Sequence, residues 1–440
     1  MGHHLEQACR FRGDLGATPA DMAALARRAA ERLESAGRRA QRRNDHRAAA
    51  SLLERAVALI PADDARRTAL LPDLGATLIE AGRLPDAERV LAEAVSAGRA
   101  AGEELVLSHA LVQQQMLGIR RGAPSAAAES SAVVDDVLPV FRAAGDEQGL
   151  CSALRLRGWQ QWVLARADAA AESWEEAAEH ARAAGLDHER TDLLGWIASS
   201  LLWGPAPVRV AIERCEAIRE EVSGDLVASA DILQPLAGLH AMEGRFDEAR
   251  ALIAAADAAF EELGRTLGSA VSHHAAMVEL LAGDPVAAER LLRQGYAALE
   301  EMGEKAVRST TAAFLGQALL AQGRYDEAGR SAELSAEQAA EDDMHSQSMW
   351  RAVHASVLSA RGEPADAERF AREAVAFAER TDDTSMIADA HVVLGGVLAL
   401  RADTEAAQAE LSRGLELYER KGNLVGADRV RAQLAPLPRV

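Results

Sequence analysis

A short block recurs along the whole chain: a Gly or an equivalent residue, an Ala five residues on, and usually a small residue seven further. The clearest copies are Gly82 with Ala87 and Ala94, Gly244 with Ala249 and Ala256, and Gly362 with Ala367 and Ala374. Weaker copies start at Asn44, Gly122, Ala165, Gly204, Gly283, Gly323 and Ala402, so successive starts lie 38 to 43 residues apart and ten units fill the 440 residues. A chain of this length ordinarily splits into two or three domains, because a single hydrophobic core stops growing well before it. An array of repeats escapes that limit, since each repeat packs only on its neighbours.

A second series falls halfway between these starts, at Gly102, Gly145, Gly185, Gly224, Gly264, Gly303 and Gly422, with Asp342 and Asp382 in the empty positions. Two punctuation marks per period mean two helices per repeat. Gly suits the left-handed residue that ends a helix, and a polar residue just after it can cap the next one, as Asp146, Asp225 and Glu304 are placed to do. In Gly283-Asp284-Pro285 the Asp stands as N-cap and the Pro as first helical residue, where its missing N–H costs nothing.

Seven residues before most turns lies a further small residue: Gly37, Gly75, Gly158, Ala237, Ala276, Gly316, Ala355 and Gly395. Small side chains on both helices let their backbones approach, and the larger residues between them interlock with the next hairpin. Nearly half of the residues are hydrophobic but only 4% are aromatic, so the apolar surface is mostly Ala, Leu and Val, as close helix packing requires. The expected fold is all-α, a right-handed superhelical solenoid of about ten helical hairpins with a period of about 40 residues.

The spacing of small residue, turn Gly, Ala and second Ala resembles the tetratricopeptide repeat, with the second helix and its connection lengthened by about five or six residues. HEAT repeats share a period near 40; the in-register small residues on both helices favour the tetratricopeptide reading. No Ser/Gly-rich linker interrupts the chain, so one domain over 1-440 is expected, with a basic end over 1-62 and a capping helix and tail over 424-440. Leu424 to Leu434 can form the final amphipathic helix, which Pro436-Leu437-Pro438 stops.

Longer strings add a second resemblance: His4-Leu5-Glu6-Gln7-Ala8, Ala36-Gly37-Arg38-Arg39-Ala40, Leu52-Leu53-Glu54-Arg55-Ala56, Gly244-Arg245-Phe246-Asp247-Glu248-Ala249-Arg250 and Gly323-Arg324-Tyr325-Asp326-Glu327-Ala328. Together they resemble the carboxy-terminal region of large actinobacterial regulators of the AAA/STAND ATPase, adenylate/guanylate cyclase or LuxR type. In those proteins the solenoid is thought to sense a ligand or partner and to control the upstream module. The resemblance implies a cytoplasmic regulatory scaffold, and the short lead before the first string reads like a fragment or a stand-alone descendant.

Catalytic templates fail. The only lysines, Lys305 and Lys421, have no phosphate-loop context, and no dinucleotide, zinc-protease, redox or serine-hydrolase string occurs. No enzyme activity, cofactor or metal is expected; the adjacent His3-His4 and His273-His274 point about 100° apart on a helix and are poorly placed to share an ion. Cys9, Cys151 and Cys215 are too few and too scattered for a disulfide framework, which fits a reducing compartment. No apolar run has the length of a membrane span.

The net charge of −20 argues against a general nucleic-acid binder. Residues 1-62 nevertheless hold 11 Lys and Arg against 7 Asp and Glu. Within them Arg38, Arg39, Arg42 and Arg43 form a candidate partner-contact patch, for an upstream effector domain or, in the alternative reading, for DNA. The missing aromatics there disfavour single-strand stacking.

Five of the six tryptophans fall between Trp159 and Trp203. Trp174 and Trp196 align with core positions. Arg155, Trp159 and Trp162 share one helix face at i, i+4 and i+7, the face that resembles the concave wall of tetratricopeptide proteins, and aromatic and Arg side chains anchor binding hot spots. One repeat earlier the equivalent face holds His109, Val112, Met116 and Ile119. Arg155, Trp159, Trp162, His109 and Met116 are therefore the candidate groove for a peptide segment, a partner protein or a small effector; the competing expectation is that both tryptophans simply pack on the next hairpin. The isolated His109, His240, His354 and His391 read as ordinary part-buried or surface residues.

Overall fold

The computed structural model describes residues 5–8, 19–41, 43, 45–121, 126–262, 272–302 and 306–437. His3, His4, Arg42, Asn44, Gly122, Gly264, Gly303 and Glu304 lie outside the described residues. Every regular element among those described is an α-helix, and helices pair as hairpins, as Pro19–Gln41 does with His46–Ala58 and Thr384–Leu400 with Thr404–Lys421.

The turns follow the local chemistry read from the chain. The helix His273–Ala282 ends on Gly283 at φ 81°, and Asp284 caps the following helix by accepting from Ala287 N at 2.9 Å, with Pro285 in its first turn. Ala165 and Ala402, which occupy the turn position without being Gly, also take positive φ, 50° and 61°. The hairpin geometry thus imposes a left-handed residue where an L side chain disfavours one. Asp146 and Asp225 cap as expected, accepting from Gly149 N at 2.9 Å and Ala228 N at 3.1 Å. Gly204 and Gly224 depart from the pattern and are not left-handed.

The contacts group the described chain into two compact units. Unit 1 comprises residues up to Leu156 together with Ala183–His188. It contains α1 (Pro19–Gln41), α2 (His46–Ala58), α3 (Ala65–Glu80), α4 (Leu84–Ala101), α5 (Glu104–Arg120), α6 (Ala126–Ala144) and the start of α7 (Glu147–Val163). Its interior is built on Leu33, Leu53, Leu74, Leu78 and Leu91. The small residues do what their spacing predicts: a Cβ on Gly37 would stand 2.9 Å from Leu53 Cγ, and one on Gly75 would overlap Leu91.

Unit 2 comprises Arg157–Arg182 and Glu189–Val440. It holds the end of α7, α8 (Ala167–Ala184), α9 (Asp187–Trp203), α10 (Val208–Glu221), α11 (Leu226–Met242), α12 (Phe246–Glu262) and α13 (His273–Ala282). There follow α14 (Pro285–Glu301), α15 (Ala306–Ala321), α16 (Tyr325–Gln338), α17 (Met344–Ala360), α18 (Pro364–Ala378), α19 (Thr384–Leu400), α20 (Thr404–Lys421) and α21 (Leu424–Leu434). First helices pack on their own second helices and on the next first helix, as α15 does on α16 and α17. A Cβ on Gly316 would meet Val353 Cγ1 of the next hairpin at 2.9 Å, and one on Gly395 would meet Leu411 Cγ at 2.7 Å. The helix expected over Leu424 to Leu434 is present as α21.

Candidate functional site

The sequence-derived groove residues divide between the units: His109, Met116 and Arg155 belong to unit 1, Trp159 and Trp162 to unit 2. In unit 1, His109 Nε2 lies 2.7 Å from Asp146 Oδ2 and its ring centroid 4.8 Å from that of Phe141. Asp146 thereby serves the cap of α7 and the histidine together. Met116 is only 5% exposed and forms part of the packed interior, leaving little surface for a ligand. Arg155 Nη2 stands 3.6 Å from Glu80 Oε1, which Arg120 also approaches at 3.3 Å.

One arginine of the basic patch is ion-paired where it is described. Arg38 pairs with Glu34 at 3.3 Å and with Asp73 at 3.0 Å, and Arg39 donates to Ser35 at 2.6 Å, while Arg43 is exposed. The remaining isolated histidines have structural neighbours: His240 with Glu248 at 3.2 Å, His391 with Glu410 at 2.6 Å, and His354 edge-on to Phe370 at 4.6 Å.

In unit 2, Trp159, Trp162, Trp174 and Trp196 form one interlocked cluster. Ring centroids lie 4.4 Å apart for Trp159 and Trp196, 5.9 Å for Trp159 and Trp174, 5.8 Å for Trp162 and Trp174, and 5.6 Å for Trp162 and Trp196. The rings are tilted or edge-on, as the quadrupoles of aromatic faces prefer. Trp174 is wholly buried, whereas the other three are part-buried. Gly158 makes this possible, because a Cβ there would penetrate the Trp174 indole. Trp159 and Trp162 therefore do pack on the neighbouring hairpin, while keeping some exposed ring surface. The Trp159 indole Nε1 is buried and has no acceptor among the described residues; nor does the buried Oε1 of Gln161 have a donor.

The fifth tryptophan goes elsewhere. Trp203, at the end of α9, meets His274 at 5.9 Å, His345 at 5.3 Å and Phe314 at 6.3 Å between ring centroids. His273 stacks on Phe314 at 5.3 Å, with its Nε2 2.7 Å from Thr311 Oγ1. The Thr311 hydroxyl also lies 2.8 Å from Val307 O, to which it donates. Both ring nitrogens of His274 are buried without a partner among the described residues. Burial pushes the His273 imidazole down to about 3, with help from His274 and His345, and pushes His274 down to about 4. Burial also lowers His345. All three rings are neutral near pH 7. Among the described residues no group of three or more His, Cys, Asp and Glu is placed to hold a metal ion.

His345 and Phe314 had no signal in the sequence. They come from different registers of different hairpins, and only folding brings them to Trp203.

No family model matches the chain, and no curated protein does. Among solved structures, a Rap protein complexed with competence and sporulation factor is similar at a TM-score of 0.56 and 15% identity, covering 86% of this chain and 98% of that one. The fold is a tetratricopeptide-like α-solenoid. Yeast Tom70 aligns with 93% of this chain and 96% of its own, at 13% identity and a TM-score of 0.36. BtubC from P. vanneervenii aligns with 53% of this chain and 92% of its own, at 17% identity and 0.36. Scores this low add nothing to the fold argument. No helix among the described residues is long and apolar enough to cross a membrane.

Proposed function

We propose that the protein is a non-catalytic interaction and regulatory scaffold that binds a peptide segment or partner protein on the first-helix faces of unit 2. The observation that supports this is the pair of buried, unpartnered aromatic nitrogens, Trp159 Nε1 on α7 and the His274 ring on α13. Buried donors and acceptors are almost always paired, and each exception calls for an explanation, of which a bound molecule is one. Part-exposed indoles beside them offer the rigid, amphipathic surface on which binding energy concentrates. The similar Rap protein was determined with competence and sporulation factor bound, so an array of this fold can take a bound partner. An ATPase or cyclase module, or a small effector, is the finer proposal for what the scaffold serves.

Native mass spectrometry on protein purified gently from its host tests this, comparing intact and denatured mass. A peptide or small-molecule adduct that is weakened in Trp159→Phe, which removes only the indole N–H and part of the ring, would support the proposal. An adduct indifferent to Trp159→Phe and to His274→Phe would refute the placement. The alternative, DNA contact through Arg38, Arg39 and Arg43, has the ion pairs of Arg38 to Glu34 and Asp73 against it; it requires an affinity that falls steeply with salt. That the whole chain folds as one domain is likewise a proposal, checked by whether urea unfolding is a single transition.

A further inference from the structure

Unit 2 is tied to itself by contacts that skip several hairpins. Lys421, fully buried at the end of α20, donates from Nζ to Leu201 O at 3.0 Å and to Gly204 O at 2.6 Å, the carbonyls at the end of α9. Asp382, before α19, accepts from Ala167 N at 2.7 Å and Asp168 N at 2.8 Å, the first amides of α8, while its own N–H donates to Ala165 O at 3.2 Å. Arg429 of α21 donates from Nη2 to Leu280 O at 2.7 Å and Leu281 O at 2.8 Å, near the end of α13. Apolar contacts lie beside them: Val208 next to Gly422 and Val425 next to Gly244.

The signs are consistent. Both cations sit on helix carboxy-termini and the carboxylate on an amino-terminus, where the helix dipoles favour them and where backbone groups lack partners within their own helix. These bonds join residues 214 to 220 apart for Asp382 and Lys421 and 148 to 149 apart for Arg429, whereas bonds such as Gln41 to Thr77 and Gln322 to Glu289 join adjacent hairpins. The same last turn of α9 that receives Lys421 also carries Trp203, whose ring lies against His274, His345 and Phe314.

We propose that Asp382, Lys421 and Arg429 form a reversible latch that closes unit 2 on itself, and that Trp203 couples the latch to the aromatic and histidine cluster inside. Anything that displaces Trp203 moves the carbonyls of Leu201 and Gly204 away from Lys421, so occupation of the interior and opening of the seam are linked through one helix end. The device does not depend on the binding proposal, because the seam can be measured without a ligand.

The test uses the full chain with Asp382→Ala, Lys421→Met and Arg429→Ala combined, alongside Arg429→Ala alone, which removes an exposed side chain bonded to carbonyl groups. Far-ultraviolet circular dichroism reports folding, small-angle X-ray scattering reports the radius of gyration, and hydrogen exchange reports the amides of Ala167 and Asp168. The expected result is retained helicity, a larger radius of gyration and at least tenfold faster exchange of those two amides in the triple variant, with a smaller shift in scattering for Arg429→Ala. Trp203→Ala should also speed exchange at Ala167 and Asp168, which lie against the neighbouring Gly204. Unchanged scattering and exchange in the folded triple variant would overturn the latch. Loss of helicity in the triple variant, with no scattering change in Arg429→Ala, would overturn it too, because the seam would then be part of the folding core. Exchange unaltered by Trp203→Ala would overturn the coupling.

Discussion

Replacing His274 by Phe should make the protein less sensitive to acid, by an amount that the burial of this ring sets. In the folded chain the His274 imidazole is pushed down to about 4, against an ordinary value of 6.5. Below pH 6.5 the unfolded chain takes up this proton while the folded chain refuses it until about pH 4. Stability from this group is therefore fully present above pH 6.5 and is lost as the pH falls through that window. At about 1.4 kcal/mol per pH unit, the loss between pH 7.5 and pH 5 is about 2 kcal/mol. Other groups titrate in the same range. Asp383, pushed up to about 7 by burial, has the opposite sign, since the folded state takes its proton first and gains stability as the pH falls. Contributions from groups that His274 does not influence, Asp383 among them, are shared by wild type and variant and cancel in the difference between them. Any packing change from the Phe ring against Trp203 adds a constant offset with no pH dependence. Urea unfolding followed by circular dichroism at pH 7.5, 6 and 5 gives the difference directly. The stability of His274→Phe relative to wild type should rise by about 2 kcal/mol over this interval. Parallel curves for the two proteins would show that His274 is hydrated and would refute the buried, unpartnered geometry on which the binding proposal also draws.

Two further outcomes follow from the turns and small residues. Gly158→Ala drives a methyl group into the buried Trp174 indole and should cost about 1–3 kcal/mol, read as a lower urea midpoint with a shifted tryptophan emission; an unchanged midpoint would mean the tryptophan cluster is loosely packed. Ala402→Gly relieves a left-handed L residue at φ 61° in an exposed turn and should gain about 0.5–1 kcal/mol in the same assay, whereas a loss would mean the turn is not strained.

Much of the architecture was legible because it is local. Ala165 and Ala402 were recognisable as turn residues from their place in the repeat alone, and both adopt the left-handed conformation that the neighbouring glycines take freely. Asp284 with Pro285 states a helix start in consecutive letters, and Gly75 with Leu91 is a small residue facing a large one within a single hairpin. The candidate groove was legible only in part. Helical spacing placed Trp159 and Trp162 on one face, but could not show that Trp174 and Trp196 would close around them, nor that Met116 would turn into the interior.

The sequence by itself determined what repeats: two helices per period, where each turn falls, and which small residues let backbones approach. These depend on bonds and contacts within one hairpin or between adjacent ones, so a pattern of about 40 residues records them. Lys421, by contrast, stood out only as a lysine without a phosphate-loop context, and Asp382 as a substitute turn residue. Their partners lie on α9 and α8, at distances along the chain that reflect how far each hairpin rotates on the one before it. That rotation accumulates from many side-chain contacts and has no signature at any single position, so the seam and the gathering of Trp203, His274 and His345 were decided only by the tertiary structure.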